Sequence, residues 1–208
     1  MGSTPTSGRE NGGSLRQRVA EATETKSKQK RTQIGLGMTM TTMETDRLTI
    51  RNFSVNDWEA LREMILQYQA SEYAAYDHPW PTAPDEIRKA AEWFAGGDSY
   101  LVVCLKDTGR FIGFVCLNPE EHGGESALNI GYIFNFDYHG RGYATEACRA
   151  ALARAFDELG AARVVTGTAK ANLPSCRLLK RLGLKETGEG MFAISRDEWR
   201  RQNGIASG

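Results

Sequence analysis

Two short stretches hold residue types whose spacing could do chemistry. The first is Gly140-Arg141-Gly142, followed by Tyr143-Ala144-Thr145-Glu146. An apolar run, Leu128 to Phe134, precedes it, and a long stripe at helical spacing follows: Ala144, Ala147, Cys148, Ala151, Leu152, Ala155, Phe156 and Leu159. A strand that turns through glycines into a helix N-terminus makes an anion site. The first helical N–H groups have no partner within the helix, and the helix dipole adds partial positive charge there. Glycines let a phosphate approach the backbone, and Arg141 adds a cation. A bare turn between strand and helix would need only the glycines; the strand, the Arg and the small residues Ala144 and Thr145 together favour phosphate. The second stretch is Asn172-Leu173-Pro174-Ser175. There Asn172 is placed to cap a helix with Pro174 in its first turn, which structure alone would explain. His78 and His139 have the reference pKa of a general base, about 6.5, although a lone loop histidine is more often simply exposed.

The string His139-Gly140-Arg141-Gly142-Tyr143-Ala144, with Thr145-Glu146-Ala147 after it, resembles the acyl-CoA pyrophosphate loop of the GNAT N-acetyltransferases. Ile130-Gly131-Tyr132 resembles the branch typified by the RimJ and RimL ribosomal-protein N-terminal acetyltransferases. His139 departs from the Gln or Arg common in the wider superfamily. The resemblance covers about Glu44 to Trp199.

The resemblance implies acetyl transfer from acetyl-CoA, the cosubstrate, to a primary amine by direct attack in a ternary complex. It places the pantetheine arm between two splayed parallel strands, Ala127–Phe134 and Arg163–Thr168. Backbone groups near Ile133 and Phe134 would meet pantetheine, and one N–H there would serve as oxyanion donor. His139, Gly140, Arg141, Gly142, Tyr143, Ala144 and Thr145 would hold the pyrophosphate. Asn172 would bond to the pantetheine amides, and Ser175 would sit near the sulfur. Many relatives carry a tyrosine acid four residues beyond that serine, where this chain has Leu179. Ser175 and Asn129 are therefore the catalytic candidates by position. Asn129 stands where this branch often has a carboxylate, and an amide cannot act as base. The base stays open among Glu125, Asp137, Glu146, His78, His139 and a water chain. The family's acceptor side falls on the aromatic loop Tyr68 to Pro84. A protein or peptide N-terminal α-amine is the expected acceptor. The alternatives are a small-molecule amine (an amino acid, a polyamine or an antibiotic) and a CoA-binding protein without catalysis.

The elements that must position these residues follow from hydrophobic patterning. Arg47 to Phe53 is predicted as a strand, Asp57 to Gln69 and Asp85 to Phe94 as helices, and Tyr100–Leu105, Phe111–Leu117 and Ala127–Phe134 as strands. Asp107-Thr108-Gly109 reads as a hairpin turn, and Glu120 to Ser126 as a longer polar one. After the central helix, which Gly160 would end, come a strand over Arg163–Thr168, a helix over Pro174–Leu182 and one or two strands over Leu184–Ile194. Strand, helix, strand implies a parallel pair. The expected fold is mixed α/β with the GNAT arrangement: a twisted sheet, splayed central parallel strands and helices on both faces.

The 208 residues suffice for one ordinary domain. Net charge is zero, from 26 basic and 26 acidic side chains, which argues against a nucleic-acid partner. No apolar run approaches a membrane span. Four scattered cysteines without a C-x-x-C pair suggest no metal and a reducing, cytoplasmic setting. Residues 1–42, poor in large apolar side chains, read as a disordered or vector-derived leader, with at most a weak helix at Leu15, Val19 and Ala22. Residues 43–199 would form the acetyltransferase domain, as monomer or homodimer, and 200–208 a polar tail.

Overall fold

In the computed structural model, which describes residues 41–77, 79–122 and 125–204, eight strands form a single mixed sheet. They are β1 (Thr42–Glu44), β2 (Leu48–Asn52), β3 (Tyr100–Leu105), β4 (Phe111–His122), β5 (Glu125–Phe134), β6 (Arg163–Gly167), β7 (Lys185–Gly188) and β8 (Met191–Ser195). Their order across the sheet is β1-β2-β3-β4-β5-β6-β8-β7. All neighbours pair antiparallel except β5 with β6, the one parallel pair.

Alternation along the strands sends side chains to two cores. On one face, Leu48, Ile50, Leu101, Val103, Ile112 and Ile130 bury against the central helix α3 (Tyr143–Ala153) and against α4 (Leu173–Arg181). On the other, Val102, Phe114 and Cys116 bury with Phe53, Leu61, Ile65 and Phe94. Those residues come in part from α1 (Trp58–Gln69) and α2 (Pro84–Ala95). Strand β3 is buried on both faces, which explains its unbroken apolar run.

Several expected boundaries shift. The strand at β2 has an antiparallel neighbour, β1, that starts at Thr42; Thr41 before it is already buried, with its N–H on Asn52 Oδ1 at 2.5 Å. The fold thus takes in the end of the expected leader, while Leu15, Val19 and Ala22 lie outside the described residues. The expected turn at Glu120–Ser126 is mostly ladder, with His122 opposite Glu125. Polar side chains hid it, because both strands there need only their backbones to pair. The end of the expected domain and the start of the expected polar tail form one helix, α5 (Arg196–Gln202). Ser195 and Glu198 form a reciprocal capping box, and Trp199 buries against Phe156.

Helix α3 widens into a π-turn, Arg154–Glu158, before Gly160 takes a left-handed φ of 68°. The turn carries buried Arg154 to Thr41 Oγ1, at 3.0 Å, and to Asp98 Oδ2, at 3.2 Å.

Candidate active site

Strand β5 leaves the sheet through a 3-10 turn, Phe136–Tyr138, and reaches Gly140 and Gly142 at φ of 73° and 83°. Both conformations are left-handed, so the glycines are a backbone requirement. The N–H of Glu146 is the first to close a helical bond, onto Gly142 O at 3.1 Å. The amides of Tyr143, Ala144 and Thr145 therefore have no partner in the helix, and all three residues line a cleft. Thr145 Oγ1 accepts from Arg181 Nη1 at 2.9 Å. Arg141 is placed differently from its neighbours: it is exposed, its guanidinium sits 5.7 Å from the Tyr138 ring centroid, and it does not line the cleft.

The loop is tied down by the connection between β1 and β2. Glu146 accepts from Thr45 Oγ1 at 2.6 Å, Arg47 N at 2.9 Å and Arg47 Nε at 2.7 Å. Arg47 Nη1 donates to Arg141 O at 3.0 Å, and its guanidinium lies 4.5 Å over the Tyr143 ring. Burial alone would raise the Glu146 carboxyl, but the bonds from Thr45 and Arg47 outweigh it and hold the group below the usual carboxylate range. A carboxylate so engaged is a clamp and a poor candidate for a base.

Beside this loop the sheet opens. The β5–β6 ladder ends at Asn129 opposite Val165; β5 runs on to Phe134 beside β4, while β6 pairs with β8 as far as Gly167. Asn135 N donates to Ile112 O in β4. By strand alternation the peptide groups of Ile133 also face β4, and those of Tyr132 and Phe134 face the gap. Ile133 thus offers the cleft its side chain only. The Phe134 carbonyl is within 3.0 Å of His139 Nε2, so the imidazole sits over the end of β5 rather than free in the loop.

The cleft, ≈1410 Å³, runs from Gly142 and Thr145 past Asn172 and Ser175 to an aromatic wall at Tyr68 and Tyr73. Asn172 caps α4, its Oδ1 accepting from Ser175 N at 3.3 Å, which leaves its amide protons available. Leu179, at the position of the missing tyrosine acid, is fully buried. Instead Tyr132, from the Ile-Gly-Tyr segment, brings its hydroxyl to 2.8 Å from Ser175 Oγ. Sequence reasoning missed this pair. Its one signal was the period of β5, which points Tyr132 to the same face as Ile130 and so toward the helices that carry Ser175.

The far end of the cleft is aromatic with acidic and amide groups. Tyr73 stacks on Phe136 at 5.8 Å, and Tyr68 Oη donates to Tyr73 O at 3.1 Å. Burial, with Asp77 nearby, pushes the Tyr68 phenol up to about 12. Asn129 lies on the wall opposite Asn118 in the β4–β5 ladder, and the carboxyl residues Asp77 and Glu120 line it too. These acids were not foreseen: Asp77 belongs to the expected acceptor-side loop but was passed over among its aromatics, and Glu120 comes from a strand end that the sequence disguised as a turn. Among the open candidates for a base, His78 lies outside the described residues and Asp137 is exposed in the 3-10 turn. No group of three or more potential metal ligands occurs among the described residues.

Comparison with known proteins identifies this arrangement. Residues 47–185 match the acetyltransferase (GNAT) domain family. The chain is 30% identical over 171 residues to the uncharacterized N-acetyltransferase YnaD of Bacillus subtilis, covering 74% of this chain and 97% of that one. It is 28% identical over 156 residues to the putative ribosomal N-acetyltransferase YdaF of the same organism, covering 72% and 85%. The solved structure of Mycobacterium smegmatis RimJ in complex with CoA-disulfide superposes with a TM-score of 0.61 at 19% identity, covering 81% of this chain and 95% of that one. The glycine turn into α3, the mixed sheet that parts after Asn129 and the family match across them lead to one statement: the chain belongs to the GNAT acetyltransferase family and is an N-acetyltransferase.

Proposed function

We propose that the protein moves an acetyl group from acetyl-CoA to a primary amine by direct attack in a ternary complex, the amine being the N-terminal α-amine of a protein or peptide. The observation that carries this is one continuous cleft joining the unpaired amides at Tyr143–Thr145 to the aromatic wall through the gap between β5 and β6. The residues present fit a CoA ester. Two left-handed glycines and three free amides suit a pyrophosphate, and the peptide groups of Tyr132 and Phe134 suit an extended pantetheine. Acetyl-CoA supplies an already activated thioester. The protein's part is to hold the amine beside it, offer an N–H at the gap to developing oxyanion charge, and keep a hydroxyl, that of Ser175, near the departing sulfur. GNAT enzymes as a family use acetyl-CoA, and the ribosomal designation of YdaF supports a protein acceptor.

The α-amine is favoured because Asn129 offers no base. An α-amine, pKa about 8, is partly neutral at pH 7, whereas a lysine amine at about 10.4 is not. One observation favours a second reading: Asp77 and Glu120 on the wall would suit a small cationic amine. A thiol-release screen with acetyl-CoA against N-terminal peptides, free amino acids, polyamines and aminoglycosides separates the two. Turnover with peptides is the expected result; turnover with one small amine and no peptide would overturn the acceptor assignment.

A further inference from the structure

We infer that Tyr132 is a positioning residue for the transfer step, its phenol aiming the Ser175 hydroxyl at the sulfur of the departing thiol; the inference rests on the acetyl-transfer function proposed above. The two oxygens are 2.8 Å apart, and both residues line the cleft. They come from separate elements, Tyr132 from the stretch of β5 beyond its last pair with β6 and Ser175 from the first turn of α4.

Geometry alone leaves the donor open, but chemistry decides it. A phenol is a better hydrogen donor than an aliphatic hydroxyl, so Tyr132 Oη donates and Ser175 Oγ accepts. The serine proton is then released from its tyrosine neighbour and free to donate elsewhere, and accepting one bond strengthens the bond it donates. In the transfer step the amine nitrogen forms a bond to the acetyl carbon, the C–S bond breaks, and its electron pair goes to sulfur. The Ser175 O–H is then a donor to that thiolate. The proton lost by nitrogen goes to solvent or, finally, to sulfur.

Tyr132 is not itself the acid. Burial, with Cys148 and Cys176 adding to it, raises its phenol well above the ordinary value, and a bond that Ser175 would give the phenolate offsets only part of this. Passing its proton on would leave a buried phenolate. Its role is to fix one rotor of a hydroxyl that would otherwise turn freely, and a phenylalanine would keep the ring's packing but lose that role.

The test uses the whole protein with CoA, its desulfo analogue and the fastest amine of the screen. In complexes with CoA, read against desulfo-CoA complexes to cancel the protein's own thiols, the ultraviolet thiolate absorbance gives the pKa of the bound thiol. One neutral hydrogen bond corresponds to about a three- to tenfold change in an equilibrium. Y132F and S175A should each lower the thiolate fraction at a given pH by about that factor. Y132F should also lower kcat by a similar factor, with KM for acetyl-CoA within about twofold, and adding Y132F to S175A should cost nothing further. Equal thiol pKa values in wild type and both variants, or losses that multiply in the double variant, would overturn the inference. A wild-type protein that binds CoA but releases thiol with no amine would sink the acceptor chemistry instead, and the thiol titration would still decide the Tyr132–Ser175 pair.

Discussion

Glu146→Gln isolates the clamp behind the loop at Gly140–Thr145. The carboxylate is little exposed, at 18%, and takes four contacts: Thr45 Oγ1 at 2.6 Å, Arg47 N at 2.9 Å, Nε at 2.7 Å and Nη2 at 2.6 Å. A buried charge-assisted bond is worth about 1.5–3 kcal/mol. Arg47, however, is 47% exposed, so solvent and salt remove most of the ion-pair share. Glutamine keeps one acceptor oxygen but turns an amide toward the guanidinium. The net loss should be about 1–2 kcal/mol, or roughly 2–8 °C in Tm for a domain of this size. Because Arg47 Nη1 also holds Arg141 O, affinity for acetyl-CoA should fall by roughly three- to tenfold. The sign with pH is fixed. The folded carboxyl titrates below its unfolded value, so its contribution is present above about pH 4.3 and lost as pH falls through the folded value. Denaturant melts of wild type and variant should differ fully at neutral pH and converge in acid. A gap that stays constant into acid would show that shape, not charge, holds the loop.

Three further outcomes are expected. Gly142→Glu should leave a folded protein that no longer binds acetyl-CoA in calorimetry, because φ of 83° costs a side chain about 1–2 kcal/mol while the new carboxylate repels phosphate; normal binding would refute the pyrophosphate assignment. Leu179→Tyr should not restore an acid. The site is fully buried, so the larger side chain should cost about 1–3 kcal/mol, seen as a lower Tm with no gain in kcat. Ser195→Ala should remove the α5 cap, whose Glu198 carboxyl is held at about 2 by Lys185 and Ser195, and cost about 0.5–2 kcal/mol in urea melts.

The sequence made plain whatever repeats with a period or needs a special backbone. The stripe from Ala144 to Phe156 is the buried face of α3 and the π-turn that continues it, with Leu159 after it exposed, and Gly140 and Gly142 are left-handed where the turn into the helix requires them. The parallel pair followed from strand, helix and strand, and its early end at Asn129 matches the splay that the family resemblance implied. Features built from residues far apart in the chain stayed hidden. The clamp joins Arg47 to Glu146 and the hydroxyl pair joins Tyr132 to Ser175, each a contact between polar residues that have no period. Polar strands misled as well: Glu120 to His122 reads as a turn, yet it pairs by backbone with β5 and brings Glu120 to the cleft.

The departure at Asn129 has an energetic consequence for the acceptor. With an amide there, the cost of reaching a neutral nucleophile falls on the amine itself. At pH 7 an α-amine of pKa about 8 is roughly one-tenth neutral, whereas a lysine amine at about 10.4 is neutral about 250 times less often. That ratio equals about 3 kcal/mol of barrier at the rate of about 1.4 kcal/mol per tenfold. A carboxylate with a nearby water could recover part of it, and Asp77 and Glu120 on the wall are the groups so placed. Both also attract the ammonium form, which binds more readily and reacts less. The same acids therefore work in opposite directions for the two acceptor classes. They raise the local concentration of a small polycation while leaving it protonated, and they cost an α-amine less because about one-tenth of it is already neutral at pH 7.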